Sequence, residues 1–253
     1  MTKLSAVVIT FNEEKNIDRC LTSLKGVVDE IIVVDSYSSD STESICKEHD
    51  VNFIQNPFKG HIEQKNFAMK KANYDYVLSL DADEALDDRL RDAILAEKQE
   101  LSFDSYSFNR LTNYCGKWIR HCGWYPDTKT RLWNKHKGRW GGVNPHDKVT
   151  MDRGSSSKHL KGDLLHYSFY TVQQHLDQIE YFTDISSKAA HDNGKRSNYL
   201  KLLVKPMFKF LRDYILKLGI LDGYYGFIIC KNSTYAKYLK YKKLMTLQKR
   251  IDT

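Results

Sequence analysis

The chain lacks any apolar run long enough to cross a bilayer, and it has little of the cysteine chemistry that staples small folds. Its five cysteines, Cys20, Cys46, Cys115, Cys122 and Cys230, are odd in number and contain no C-x-x-C pair. That argues against a disulfide framework or a zinc site, and for reduced thiols in the cytosol. In the C-terminal region the longest uncharged stretch, Gly223 to Cys230, is far below the ~20 apolar residues a spanning helix requires. No basic head, apolar stretch and small-residue cleavage site precedes the strand-like Leu4-Ser5-Ala6-Val7-Val8-Ile9-Thr10, so a cytoplasmic location is expected. Internal repeats and low-complexity linkers are also missing.

What is present is a chain of 253 residues, enough for one large domain or two small ones with a substantial core. The net charge of +7 is uneven: residues 199 to 253 hold twelve Lys/Arg and three Asp/Glu. The basic character is therefore a C-terminal property. Residues 4–10, 30–35, 51–54 and 76–81 read as short apolar strands, separated by helical patterns near 16–24, 41–48 and 62–72. Val/Ile/Leu runs of this kind suit a parallel sheet buried on both faces, with right-handed crossovers. Ligands then bind at the carboxyl ends of the strands, and those ends carry Thr10-Phe11-Asn12-Glu13-Glu14, Asp35-Ser36 and Asp81-Ala82-Asp83. At the last of these an apolar strand runs into two carboxylates spaced i, i+2. A turn through Ala82 would bring them around one pocket, suited to Mg²⁺ or Mn²⁺ bridging phosphates; an acidic loop capping the helix near Asp87 is the plain alternative.

Beyond a helix near 87–100, the alternating Ser105–Leu111 suggests a strand, and residues 112 to 165 are rich in Trp, Tyr, Gly and His. This section reads as a second, antiparallel half. Thr171 is placed to cap a helix running to about Asn193, with Gly194 ending it. Two amphipathic segments follow, roughly 198–218 and 223–245.

The strand followed by Thr-Phe-Asn-Glu-Glu, together with Glu30–Ser36, Gly60–Ala68 and the Leu-Asp-Ala-Asp-Glu segment, resembles the family 2 glycosyltransferases over essentially the whole chain. More narrowly, Cys122–Asp127, Thr130–Trp133, Gly138–Trp140 and Gly162–Tyr167 are similar to bacterial lipopolysaccharide-core β-glycosyltransferases of the WaaE/KdtX type. The resemblance implies an α/β GT-A fold: a mainly parallel nucleotide-binding sheet flanked by helices, an antiparallel acceptor half and C-terminal amphipathic helices. The expected division is 1–110 for the nucleotide-sugar half, 111–170 for the acceptor and catalytic half, and 171–253 for the basic helical region. It also implies an inverting transfer of a hexose, glucose from UDP-glucose being favoured, onto a lipopolysaccharide-core or lipid-linked saccharide.

By the same resemblance Thr10, Asn12 and Glu14 would meet the nucleoside, and Asp35 the uracil or ribose. The alternative is that Asn12 and Asp35 satisfy turn backbone. Lys65 matches the position beside base and phosphates, although an exposed helical lysine would look the same. Asp83 would coordinate the metal and Asp81 lie beside the ribose, with His166 either a distal metal ligand or a hydrogen-bonded core histidine. Inversion needs a base opposite the leaving group. Asp147 is the candidate, aspartate standing where the subgroup commonly has glutamate; His146 is its rival and a loop cap the plain alternative. Trp118, Trp124, Tyr125, Trp133 and Trp140 offer ring faces to an acceptor or material for a core, with Trp124 and Tyr125 the acceptor candidates. Arg131 and Arg139 would neutralise donor diphosphate or an acidic acceptor, or form surface pairs.

In the tail, Lys201, Lys205, Lys209, Arg212 and Lys217 interleave with Leu, Phe, Tyr and Ile. That fits an interfacial helix on the anionic cytoplasmic face of the inner membrane, or helices packed on the catalytic domain with a solvated basic face. Lys231, Lys237, Lys240, Lys242 and Lys243 extend the pattern. The alternatives in function are another nucleotide sugar in cell-envelope glycan synthesis, or a nucleic-acid-binding protein using its basic, tyrosine-rich tail. Nucleic acid is not the expected partner, because the acidic strand-end pocket would repel a polyanion.

Overall fold

A computed structural model describes residues 1–143 and 146–249, with the side chains of Val143, His146 and Lys249 outside the description. Among the described residues eleven strands and seven α-helices follow one another along the chain. Strand β1 (Leu4–Thr10) lies between β2 (Glu30–Asp35) and β4 (Tyr76–Asp81), and β2 also pairs with β3 (Asn52–Gln55), all in parallel. The crossovers are α1 (Ile17–Leu24), α2 (Thr42–Lys47) and α3 (His61–Lys71).

Successive side chains on a strand face opposite ways, and β1 shows why its apolar run is continuous. Ala6 and Val8 join one core with Ile17, Cys20, Leu21 and Leu24 of α1. Val7 joins the other, with Ala68 and Met69 of α3. Both faces are covered, as the Val/Ile/Leu run requires.

Past β4 the sheet turns antiparallel. β8 (Asp127–Asn134) pairs with β4, and β6 (Ser105–Tyr114) pairs with β8. β11 (Ser157–Phe169) and β5 (Glu84–Leu86) complete the sheet order β3-β2-β1-β4-β8-β6-β11-β5. β7 (Lys117–Ile119) pairs with β6, while β9 (Gly138–Val143) and β10 (His146–Met151) form a separate hairpin. Helix α4 (Asp88–Glu97) starts at Asp87, whose carboxylate accepts the Leu90 N–H at 2.7 Å, so the cap expected near Asp87 belongs to that residue. The whole is the α/β sheet, parallel first and antiparallel later, that a GT-A fold implies.

Gly162 fixes where β11 runs. Its φ of +109° is rare for L side chains, and a Cβ there would overlap the Leu90 backbone, with Leu90 Cα at 2.6 Å. Only glycine lets β11 pass this close to α4.

The chain divides into two compact units, Met1–Leu111 with Asp127–Tyr167, and Thr112–Pro126 with Ser168–Thr253. The cuts fall after Leu111, Pro126 and Tyr167, so residues 112–126 and 127–167 lie in different units. In the second unit α5 (Val172–Asp192) opens with the expected Thr171 cap, reciprocated by Gln174, and Gly194 lies just past its end at φ +68°. Helix α6 (Tyr199–Leu211) continues through a π-helical turn (Arg212–Leu216), and a 3₁₀ turn (Gly219–Asp222) leads into α7 (Gly223–Lys249). Among the described residues no helix is long and apolar enough to cross a membrane.

Candidate active site

Strand β4 ends at Asp81, and the chain turns at once into β5. The turn is closed from inside: the Glu84 carboxylate accepts the Asp81 N–H at 3.1 Å, and Ala82 donates its N–H to the Ile9 carbonyl at 3.2 Å. β5 then pairs antiparallel with β11, setting His166 opposite Glu84. The Tyr167 N–H reaches the Asp83 carbonyl at 2.9 Å, and His166 Nε2 comes to 3.1 Å from Asp83 Oδ2. A carboxylate and an imidazole more than eighty residues apart in sequence thus meet at the strand end.

Beside this pair runs a chain of alternating charges. Lys65 Nζ lies 2.7 Å from Asp147 Oδ2 and 2.9 Å from Asp81 Oδ1. Arg131 Nη2 lies 3.2 Å from Asp81 and 2.6 Å from Glu84. Arg110 then contacts Glu84 at 3.5 Å and Asp127 at 2.9 Å. Lys65 and Arg131 are both buried, and both cations lie over the Trp140 ring, at 4.3 and 5.1 Å. Buried charges persist only when paired in this way. Burial opposes ionisation of Asp81, but Lys65 and Arg131 outweigh it and hold its carboxyl far below the usual range. Burial likewise disfavours the Arg131 cation, yet Glu84, Asp81 and Asp147 push its pKa up. Its Nε and Nη1 have no hydrogen-bond partner among the described residues.

The field at the strand ends remains negative. Burial pushes Glu13 up to about 7 against its hydrogen bond from Asn16, and the carboxylates of Asp83, Asp40 and Asp81 add to the rise. The first two strand ends are tied to each other. Asn12, at φ +54°, donates its N–H to Ser38 Oγ and accepts from the Ser39 N–H, both at 2.8 Å. Glu14 accepts from the Ser41 N–H at 3.2 Å. Asp35, fully buried opposite Thr10, accepts from the Ser38 N–H and hydroxyl. The turn role foreseen as the alternative for Asn12 and Asp35 is therefore present. Thr10 Oγ1 is buried without a partner among the described residues.

Of the residues singled out from the sequence, Lys65, Asp81, Arg131 and Asp147 converge in one network, and Asp83 meets His166. The His146 side chain lies outside the described residues. Trp133 and Trp140 are not open acceptor faces: both are buried, edge to face at 5.9 Å, their indole N–H groups donating to the Gly138 carbonyl and to Ser79 Oγ. Trp124 and Tyr125 belong to the second unit, where Trp124 packs on Tyr114, Phe169 and His175 and Arg120 lies 5.4 Å over Tyr125. Glu84, Arg110, Asp127 and Glu13 went unassigned by sequence reasoning. Glu84 had a signal, as the third acid in Asp-Ala-Asp-Glu after an apolar strand; Arg110 had none.

Among the described residues no three His, Cys, Asp or Glu side chains form a cluster able to hold a metal. Two ligands and a negative field do fit an ion such as Mg²⁺ or Mn²⁺, which is commonly held by one or two protein groups with substrate phosphates and water completing the shell. Asp83 would offer such an ion a hard oxygen and His166 a nitrogen, a donor that suits a transition metal better than Mg²⁺.

The family model described as "Glycosyl transferase family 2" matches residues 5–161. The "Uncharacterized glycosyltransferase RP128" of Rickettsia prowazekii is 30% identical, over 98% of this chain and 88% of its own. The "Lipopolysaccharide core biosynthesis glycosyltransferase LpsC" of Rhizobium meliloti is 27% identical, over 89% of this chain and 85% of its own. Among solved structures, S. aureus TarS 1-349 in complex with UDP-GlcNAc is similar at 15% identity and a TM-score of 0.47, over 98% of this chain and 92% of that one. With the family model covering the sheet from β1 into β11 and so every residue of the charge network, the chain is a glycosyltransferase and belongs to family 2.

Proposed function

We propose that this enzyme is an inverting, metal-dependent glycosyltransferase that moves a hexose from a nucleotide sugar, UDP-glucose being favoured by resemblance, onto a lipopolysaccharide-core or lipid-linked saccharide. The observation that carries the reading is the placement of Asp147, Lys65 and Asp81 in one contact chain beside the Asp83–His166 pair. The likeness to LpsC supports the acceptor class. Asp83 and His166 would hold the Mg²⁺ or Mn²⁺, which when bound supplies electrostatic stabilisation to the departing diphosphate.

The chain's own residues do the rest. Thr10, Asn12, Glu14 and Asp35 border the nucleoside at the ends of β1 and β2, and Asp81 takes the ribose side. Arg131 acts through Asp81, since its Nη2 is spent on Asp81 and Glu84. Asp147 accepts the acceptor hydroxyl proton as the oxygen attacks the anomeric carbon and the bond to the diphosphate breaks on the opposite face. Lys65 spans Asp147 and Asp81, so the base and the donor side share one cation. Trp124 and Tyr125 remain the acceptor candidates, residues 1–110 the donor half and 111–170 the acceptor half. A peripheral seat on the anionic cytoplasmic face of the inner membrane belongs to the same reading, carried by the basic C-terminal region.

Purified protein offered UDP-, GDP- and ADP-sugars with Mn²⁺ should hydrolyse the UDP-sugar fastest, read as nucleoside diphosphate release. No release from any of the three would count against transfer; preference for another nucleotide would keep the reaction and replace the donor.

A further inference from the structure

Helix α6 is built with its apolar stripe facing out. Spaced by helical turns, Leu200, Leu203, Val204, Met207 and Leu211 fall on one side and are all exposed, Leu203 at 67% and Met207 at 64%. The side turned to the unit's interior is narrow, carrying buried Pro206 and half-buried Leu202 and Phe210. Between the two, at i, i+4 and i+8, runs a third side of Lys201, Lys205 and Lys209. The apolar surface continues past the helix end into the corner, where Leu216 is 73% and Leu221 62% exposed. Among the described residues most of the exposed large hydrophobic side chains fall between 199 and 227.

Isolated exposed leucines are ordinary, whereas a contiguous apolar surface marks an interaction site. The charges say with what. Residues 199–227 contain two carboxylates, and both are buried: Asp213 is paired with Lys209 at 2.6 Å and Arg212 at 2.7 Å, and Asp222 with His121 at 3.0 Å. The outward surface is therefore apolar beside basic, with no exposed acid. A second copy of the chain would be a poor occupant, because a two-fold contact sets the same patch on both sides and neither side brings an exposed carboxylate to answer the lysines. An anionic bilayer answers both features: apolar tips enter the acyl boundary while lysine stems lie along it and their ammonium groups stay at the phosphates.

We infer that the face formed by α6 and the corner after it, residues 199–227, is the membrane-docking surface, inserting shallowly into an anionic phospholipid leaflet. The inference rests on the peripheral-membrane part of the proposed function and narrows it. The remainder of helix α7 beyond Phe227, whose lysines also suggested an interfacial segment, is excluded from the inserting face: Tyr235 is its one large hydrophobic exposed among the described residues, and Lys243 is engaged by Glu180 and Asp184.

The test is sedimentation of the full chain with vesicles of phosphatidylcholine alone or mixed with phosphatidylglycerol, without any donor present. The wild type should bind the mixed vesicles, and salt should weaken binding. Lys201→Glu with Lys205→Glu should weaken it by about tenfold or more, from roughly 1 kcal/mol per basic residue near the surface. Leu203→Ser with Met207→Ser should abolish the salt-resistant part, with circular dichroism reporting that α6 is kept. Equal binding to both vesicle types, binding unmoved by either pair of changes, or no binding by the wild type would overturn the inference. So would a dimer that the serine variant dissociates in a protein that ignores vesicles. Asp83→Asn should bind vesicles as the wild type does, so failure of docking and failure of the transferase reading remain separate results.

Discussion

Asp147→Asn is expected to lower sugar transfer by about 10²–10⁴-fold, the usual contribution of a positioned proton acceptor, while UDP still binds. The substitution keeps the shape of the side chain that lies 2.7 Å from Lys65 and removes its ability to accept a proton. Its mark is therefore a fall in kcat with little change in donor affinity, read by transfer assay beside a calorimetric UDP titration. Retained transfer would move the base to His146. A parallel loss of UDP binding would instead mean that Asp147 serves the pocket by holding Lys65.

The second large effect lies in stability. Glu84 is fully buried and bonded to Arg131 at 2.6 Å, so Glu84→Gln strands a buried cation. Breaking such a pair from one side typically costs about 3–5 kcal/mol. Arg131 keeps Asp81 at 3.2 Å, which sets the expectation at the lower end, read as a shift of the urea midpoint. Glu84→Gln combined with Arg131→Met should cost less than the sum of the two single changes, because the charges leave together. Additive losses would show that the two residues do not depend on each other.

The parallel half of the fold was legible because its strands are buried on both faces and so spell themselves as apolar runs: Ala6, Val7 and Val8 need no alternation when α1 covers one side and α3 the other. The strand ends were legible for the same reason, since polar residues stop those runs. The charge network was only half legible. Lys65 and Asp147 lie 82 positions apart, and Glu84 and Arg131 lie 47 apart, so nothing local in either sequence neighbourhood announces the pairing. Trp133 and Trp140 were ambiguous in sequence because a large aromatic ring suits a core or a sugar equally; burial decides for the core. Residues 112–126 looked continuous with 127–167 in composition, but they pack with Phe169, Ile229 and Cys230 in the second unit. The amphipathic pattern of α6 was visible, but which side faced out was not. Periodicity gives the faces of a helix and leaves open which of them meets the protein.

Asp83 and His166 are proposed to hold a divalent ion against a nucleotide diphosphate. Calorimetric titration of UDP into the wild type and Asp83→Asn, each with Mn²⁺ and again with EDTA, tests it most directly. Mn²⁺ is expected to tighten UDP binding to the wild type and to leave Asp83→Asn unchanged; equal UDP affinity in all four titrations would rule out a metal held at this pair.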